Sequence, residues 1–172
     1  MALDLYTLRT GFDQTTGVPD NGTDTVMDMT AWVQNGIRID SQNLDVPLWS
    51  TVDPANDDHV GIAIGFTGPL GVTLALPIAL QDPSKWPQAP GNDSDWVAGS
   101  WGEHRACVGA FNERQRVFRT WGMDLILHPD SWDRYVLAAD ASLSREWFNA
   151  TGLSPSNLDW VSLDADMQAI TV

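Results

Sequence analysis

One cysteine, Cys107, and one lysine, Lys85, occur among the 172 residues. A lone thiol excludes a disulfide within the chain. His59, His104 and His128 stand far apart, so neither thiolate nor imidazole ligands fall at zinc-site spacing, and no metal and no cofactor is expected. Long hydrophobic runs are also missing. The longest apolar stretch, 62–80, is broken by Gly65, Gly68, Pro69, Gly71 and Pro77, so no membrane contact is expected. Residues 1–10 lack a basic segment followed by an apolar one, which argues against a secretory signal and for synthesis in the cytosol. No repeat of domain-building length is present.

Acid dominates what remains. Nine basic residues face 23 acidic ones, for a formal net charge of −14, and only Glu103, Glu113 and Glu146 of the acids are glutamate. A field of that sign repels nucleic acid and anionic membranes and attracts a basic protein partner; it also serves solubility alone. Hydrophobic residues form 43% of the chain, and nine of them are tryptophan. That is enough for one globular domain spanning 1–172, and the indoles bring large apolar areas to a core or an interface.

Helical spacing of Val26, Met29, Trp32 and Val33 predicts a helix capped by Asn21 or Thr23 and stopped by Gly36. A second helix is expected from Asp57 to Phe66, with acids in its first turn where the dipole favours them. Residues 71–77 alternate Val72, Leu74 and Leu76 with small or polar residues, as in a strand buried on one face. Residues 81–100 hold Pro83, Pro87, Pro90, Gly91 and Gly99 and read as a long surface loop. Asp82, Asp93 and Asp95 there offer oxygen ligands, but at no EF-hand spacing. Strands at 105–111 and 116–120 form a hairpin through 112–115. A helix at 130–135, a strand at 136–142, and helices at 144–149 and 156–169 follow. Helices first and a mainly antiparallel sheet later make the class α+β.

One stretch is more specific. Gly99-Ser-Trp-Gly-Glu-His104 opens the strand 105–111, and the next strand closes on Arg119-Thr-Trp-Gly122. This resembles papain-like cysteine peptidases, and especially a group common in bacterial and phage genomes. Further pieces resembling that group are Thr10-Gly-Phe-Asp13, Asp20-Asn-Gly22, Val52-Asp-Pro54, Leu74-Ala-Leu-Pro77, Trp132, Trp147 and Gly152-Leu-Ser-Pro155. The resemblance implies a papain-like antiparallel half-barrel sheet with packed helices. It also implies a cysteine at the N-terminus of a helix, activated by a histidine whose ring a third residue holds.

In the resembling group the cysteine helix precedes the Thr-Gly-Phe-Asp segment. This chain opens nine residues before Thr10 and has no Cys in that part, so the helix is expected to be absent. His104 keeps the general-base position as a vestige, and Arg119 lies nearest the place of the ring-orienting Asn. Cys107 lies three residues beyond His104 on the same strand, where alternation puts the two side chains on opposite faces; the reading is a small buried hydrophobe. Glu103, Glu113 and Asp124 stand near His104 in sequence as possible acid partners. Asp57-Asp58-His59 reads as a solvated helix start and not as a metal cluster.

The resemblance therefore implies a pseudoenzyme with no catalytic residue set. Loss of the helix is expected to expose an apolar face of the sheet, and Trp86, Trp96 and Trp101, in or beside the long loop, are the candidate interface residues. The expected role is a phage virion structural protein, a capsid decoration or head-associated protein, contacting capsid subunits and not nucleic acid. Two alternatives stand beside it: an acidic, DNA-mimicking inhibitor of a host protein, and an active peptidase using Cys107 or a cysteine from a partner chain.

Overall fold

A computed structural model describes residues 2–39, 41–112 and 115–170. Their contacts form two compact units, Met1–Trp49 with Leu143–Trp147, and Ser50–Ser142 with Phe148–Val172. No helix among the described residues is long and apolar enough to cross a membrane.

The first unit holds helix α1 (Ala2–Thr10), which stands directly before Gly11-Phe12-Asp13, where a helix was expected to be absent, although it carries no cysteine; helix α2 (Thr25–Asn35); and a two-stranded antiparallel ribbon of β1 (Ile37–Ile39) and β2 (Gln42–Leu44). Asp24 caps α2, its carboxylate accepting from the Met27 N–H at 2.9 Å, a role expected of Asn21 or Thr23. Gly36 ends the helix at φ 69°, a region that disfavours a Cβ. Of the predicted apolar face, Met29 is buried and Trp32 half-buried, while Val26 and Val33 are exposed. Arg9 ties α1 to α2 through a 2.8 Å pair with Asp28.

The second unit is α+β. Its sheet has six strands in the order β3-β8-β4-β5-β6-β7, where β3 is Leu48–Val52, β4 Leu70–Leu76, β5 Gly102–Asn112, β6 Gln115–Thr120, β7 Met123–Leu127 and β8 Val136–Leu143. The pairs β4–β5, β4–β8, β5–β6 and β6–β7 are all antiparallel. Helix α3 (Asp57–Thr67) is capped by Asn56 and stopped by Gly68 at φ 87°. Helix α4 (Pro129–Tyr135) begins on a proline, whose missing N–H costs nothing in a first turn. Helix α5 (Trp160–Ile170) begins four residues later than its predicted start at 156. Ser154-Pro155-Ser156 builds a separate turn, with Ser154 Oγ accepting from the Leu158 N–H, and Asp159 then caps the helix at Ser162. The helix predicted at 144–149 is a single 3₁₀ turn, Arg145–Trp147.

Register fixes which side chains share a face. Leu74 pairs with His104, Val72 with Ala106, Leu70 with Val108, and Val108 with Phe118. These residues, with Leu125 and Leu127, form the inner face. Val60 of α3, Trp132 and Tyr135 of α4, and Trp86 complete the same buried cluster. Strand β4 is therefore central and buried almost throughout, where half-burial was expected. The outer face carries Glu103, Arg105, Cys107, Arg119, Asp124 and Asp140, by the pairings Gly71–Cys107, Gly71–Asp140, Cys107–Arg119 and Arg119–Asp124. Thus, among the described residues, the inner face is filled, and the outer one mixes these polar groups with Val117 and the exposed Ile126.

Candidate functional site

The segment 81–100 is mostly exposed but sends two tryptophans, Trp86 and Trp96, inward. Short 3₁₀ turns at Ile78–Gln81, Pro83–Lys85 and Ser94–Trp96 shape it. Trp86 is 0% and Trp96 7% exposed, which removes both as surface anchors. The Trp86 indole N–H donates to the Leu80 carbonyl at 2.9 Å, and the Tyr135 hydroxyl donates to the Trp96 carbonyl at 2.9 Å. Buried indole and phenol groups require such partners. Asp82 and Asp93 spend their carboxylates on the turn N–H groups of Ser84 and Asp95. Trp101, at 39%, is the exposed member of the predicted three.

At the start of β5, His104 lies on the inner face opposite Leu74. Its Nε2 is 2.6 Å from the hydroxyl oxygen of Thr120, the last residue of β6. Trp121 stacks on the imidazole, with ring centroids 4.4 Å apart and planes at 16°, and Trp101 lies against Trp121 at 5.4 Å. Trp86 meets the same indole edge-on at 6.1 Å, joining this aromatic group to the core. Trp121 is 48% exposed and adopts φ 47°, next to Gly122 at φ 74°. Two consecutive positive φ values between the paired Thr120 and Met123 define a type I′ hairpin turn. A bulky residue at such a φ is held only where its surroundings over-determine it, and here three ring contacts do so.

Thr120, and not Arg119, is the residue that meets the imidazole. Strand alternation explains the difference. Thr120 shares the inner face with Phe118 and His104, while Arg119 faces outward and pairs with Asp124 at 2.7 Å. A hydroxyl both donates and accepts, so Thr120 satisfies either imidazole tautomer without adding charge. Burial lowers the His104 pKa below its ordinary value, favouring the neutral ring.

Apart from the Thr120 hydroxyl, no carboxylate or thiol side chain is bonded to this ring among the described residues. Glu103 and Asp124 belong to the outer face, and Glu113 lies outside the described residues. Cys107 lies roughly 10 Å along the strand and on its other side. It is exposed, where a buried position was expected. Desolvation raises its pKa; the neighbouring Arg105 lowers it and Asp140 raises it further. Arg105 reaches Asp140 at 2.6 Å by lying across Gly71, where a Cβ would stand 2.2 Å from the guanidinium. His59 accepts from the Asp53 N–H as part of the α3 start. No group of three or more His, Cys, Asp or Glu side chains gathers among the described residues.

A cleft of about 770 Å³ lies in the first unit, lined by residues including Tyr6, Arg9, Trp32, Arg38 and Asn43. It contains none of the candidate site residues read from the sequence. Compared with known proteins, the chain matches no family model, no curated protein and no solved structure.

Proposed function

We propose that the chain works by contact and not by catalysis. It is a non-catalytic protein on a papain-like half-barrel, serving as a structural component of a phage virion, such as a capsid decoration or head-associated protein. One observation carries the non-catalytic part. The single thiol and the His104 imidazole project from opposite faces of β5, and the thiol is pushed toward its protonated form. The cysteine-peptidase route that the resemblance implies needs a thiolate within hydrogen-bond reach of its base.

The papain-like part is supported by the placing of two motifs. Gly99–His104 leads into β5, and Thr120-Trp121-Gly122 closes β6 beside the same ring. The virion part is supported only by the resemblance to proteins common in phage genomes and by an acidic surface suited to an exterior position away from packaged DNA. The decisive experiment is quantitative composition of purified particles together with peptidase assay of the isolated chain. Fixed stoichiometry with capsid subunits and no hydrolysis are expected; hydrolysis lost in His104→Ala overturns the non-catalytic part, and absence from particles overturns the virion part.

A second reading draws on a different observation. His104 is held by Thr120 and covered by Trp121, an arrangement that would serve a base receiving a cysteine from a partner chain. Peptidase activity appearing only on mixing with a cysteine-bearing partner would select it.

A further inference from the structure

The outer edge of β7 has two unpaired residues, and we infer that this edge is where an extended, basic segment of a protein partner adds as a seventh strand. The inference rests on the contact role proposed above and names its surface. In a two-residue hairpin the residues flanking the turn exchange hydrogen bonds, and bonded and non-bonded pairs then alternate. The register Thr120–Met123, Phe118–Leu125 and Arg116–Leu127 makes these the bonded pairs of β6 and β7. Asp124 and Ile126 consequently direct their N–H and C=O groups away from β6. His128, next in the same outward series, is already engaged, its N–H donating to the Trp86 carbonyl at 2.9 Å and its carbonyl accepting from Ser131 and Trp132. No other backbone bond from the described residues reaches Asp124 or Ile126 on that side. The edge is thus closed at one end by the Trp86 turn and open over two residues.

Natural edges are protected by lysine, proline, a bulge or an inward charge. Strand β7, Met-Asp-Leu-Ile-Leu, has no proline or lysine, pairs with β6 without a register shift, and its Asp124 is neutralised by Arg119. Met123 and Ile126 present exposed apolar side chains on the two faces beside the open groups, so an arriving strand finds backbone partners and apolar contact together. A second copy of the chain would bring a further −14 charge to the pairing, whereas a segment with lysine or arginine ends gains from the same field.

The test uses a synthetic peptide, Lys-Thr-Val-Thr-Val-Thr-Lys, and a glutamate-ended counterpart, titrated into the isotope-labelled full chain. The Asp124 and Ile126 amides are expected to shift and to gain hydrogen-exchange protection with the lysine peptide, and Leu125 and Leu127 to be protected already without it. Ile126→Pro removes one outward N–H and leaves the β6 ladder intact; it is expected to weaken peptide binding by about tenfold or more. Should that variant fail to fold, exchange at the two amides in the wild-type chain still decides. Unchanged amides, binding that survives Ile126→Pro in a folded chain, or equal binding of the glutamate peptide overturns the inference. So does a dimer in sedimentation that Ile126→Pro dissociates, since the occupant is then a second copy. Failure here with the chain still present in particles removes the edge and leaves the contact role standing.

Discussion

Thr120 Oγ1 lies 2.6 Å from Nε2 of His104, bridging the end of β6 to the start of β5 on the filled face of the sheet. The contact joins two strand termini that hydrogen-bonded pairing does not itself connect. Replacing Thr120 by Val keeps the shape and removes the hydroxyl, leaving a ring nitrogen without its partner. We expect a loss of about 1 kcal/mol, read from urea unfolding, with a smaller loss when His104→Phe is already present.

The same ring sets a pH dependence. Burial holds the His104 pKa below its unfolded value, so the unfolded chain binds the proton more readily. The neutral-ring contribution is therefore complete above about pH 6.5 and is lost as pH falls toward and through the lowered folded value. Between pH 7 and 5 the denaturation midpoint of the wild type should fall more steeply than that of His104→Gln, which does not titrate. Parallel curves would dissociate His104 from acid sensitivity.

Gly71 is required by its neighbours across the sheet. A methyl group there would meet the Arg105 guanidinium at 2.2 Å and an Asp140 carboxylate oxygen at 3.0 Å. Gly71→Ala should cost roughly 1–3 kcal/mol by displacing Arg105 and leaving the buried Asp140 without its partner. Adding Arg105→Ala frees the space but not the carboxylate, so Gly71→Ala, Arg105→Ala and Asp140→Ala together should be more stable than Gly71→Ala with Arg105→Ala. Thermal unfolding of the set tests this.

Cys107 is exposed, yet partial burial of its thiol raises the pKa. Its desolvated thiol stays protonated at neutral pH, and the thiolate is the reactive form. Alkylation by iodoacetamide should be slower than for a free cysteine at pH 7 and should rise with pH. It should proceed at the same rate in His104→Ala. A rate that drops in that variant would mean that base and thiol communicate.

Trp86 and Trp101 should separate cleanly in mutation. Trp86 fills the core and donates to Leu80, so Trp86→Ala should cost about 3–5 kcal/mol or prevent folding. Trp101 is partly exposed and rests mainly on Trp121, so Trp101→Ala should cost about 1 kcal/mol. Chemical denaturation measures both.

Local signals were legible where one or two residues decide the structure. Gly36 ends α2 as expected, α3 starts at the expected Asp57, and α4 starts one residue before the expected 130, because caps and breakers act on their own backbone neighbours. Strand β7 was missed although Leu125 and Leu127 alternate with Asp124 and Ile126. A tryptophan, rather than asparagine, begins its type I′ turn, and so hides the usual hairpin mark. The start at 156 failed because Ser154 can cap a turn as readily as a helix.

Composition alone settled the acidic charge, the lone thiol and the impossibility of an internal disulfide, since these are sums over residues and need no coordinates. Alternation along β5 was enough to set Cys107 and His104 on opposite faces, because the side-chain period of a strand is two. Only the tertiary structure decided that Trp86 and Trp96 belong to the core, that Thr120 and not Arg119 meets the imidazole, and that β7 keeps an open edge. Each of these depends on which strand lies beside which and in what register, and register is fixed by burying one face across the whole sheet, a property no single segment contains.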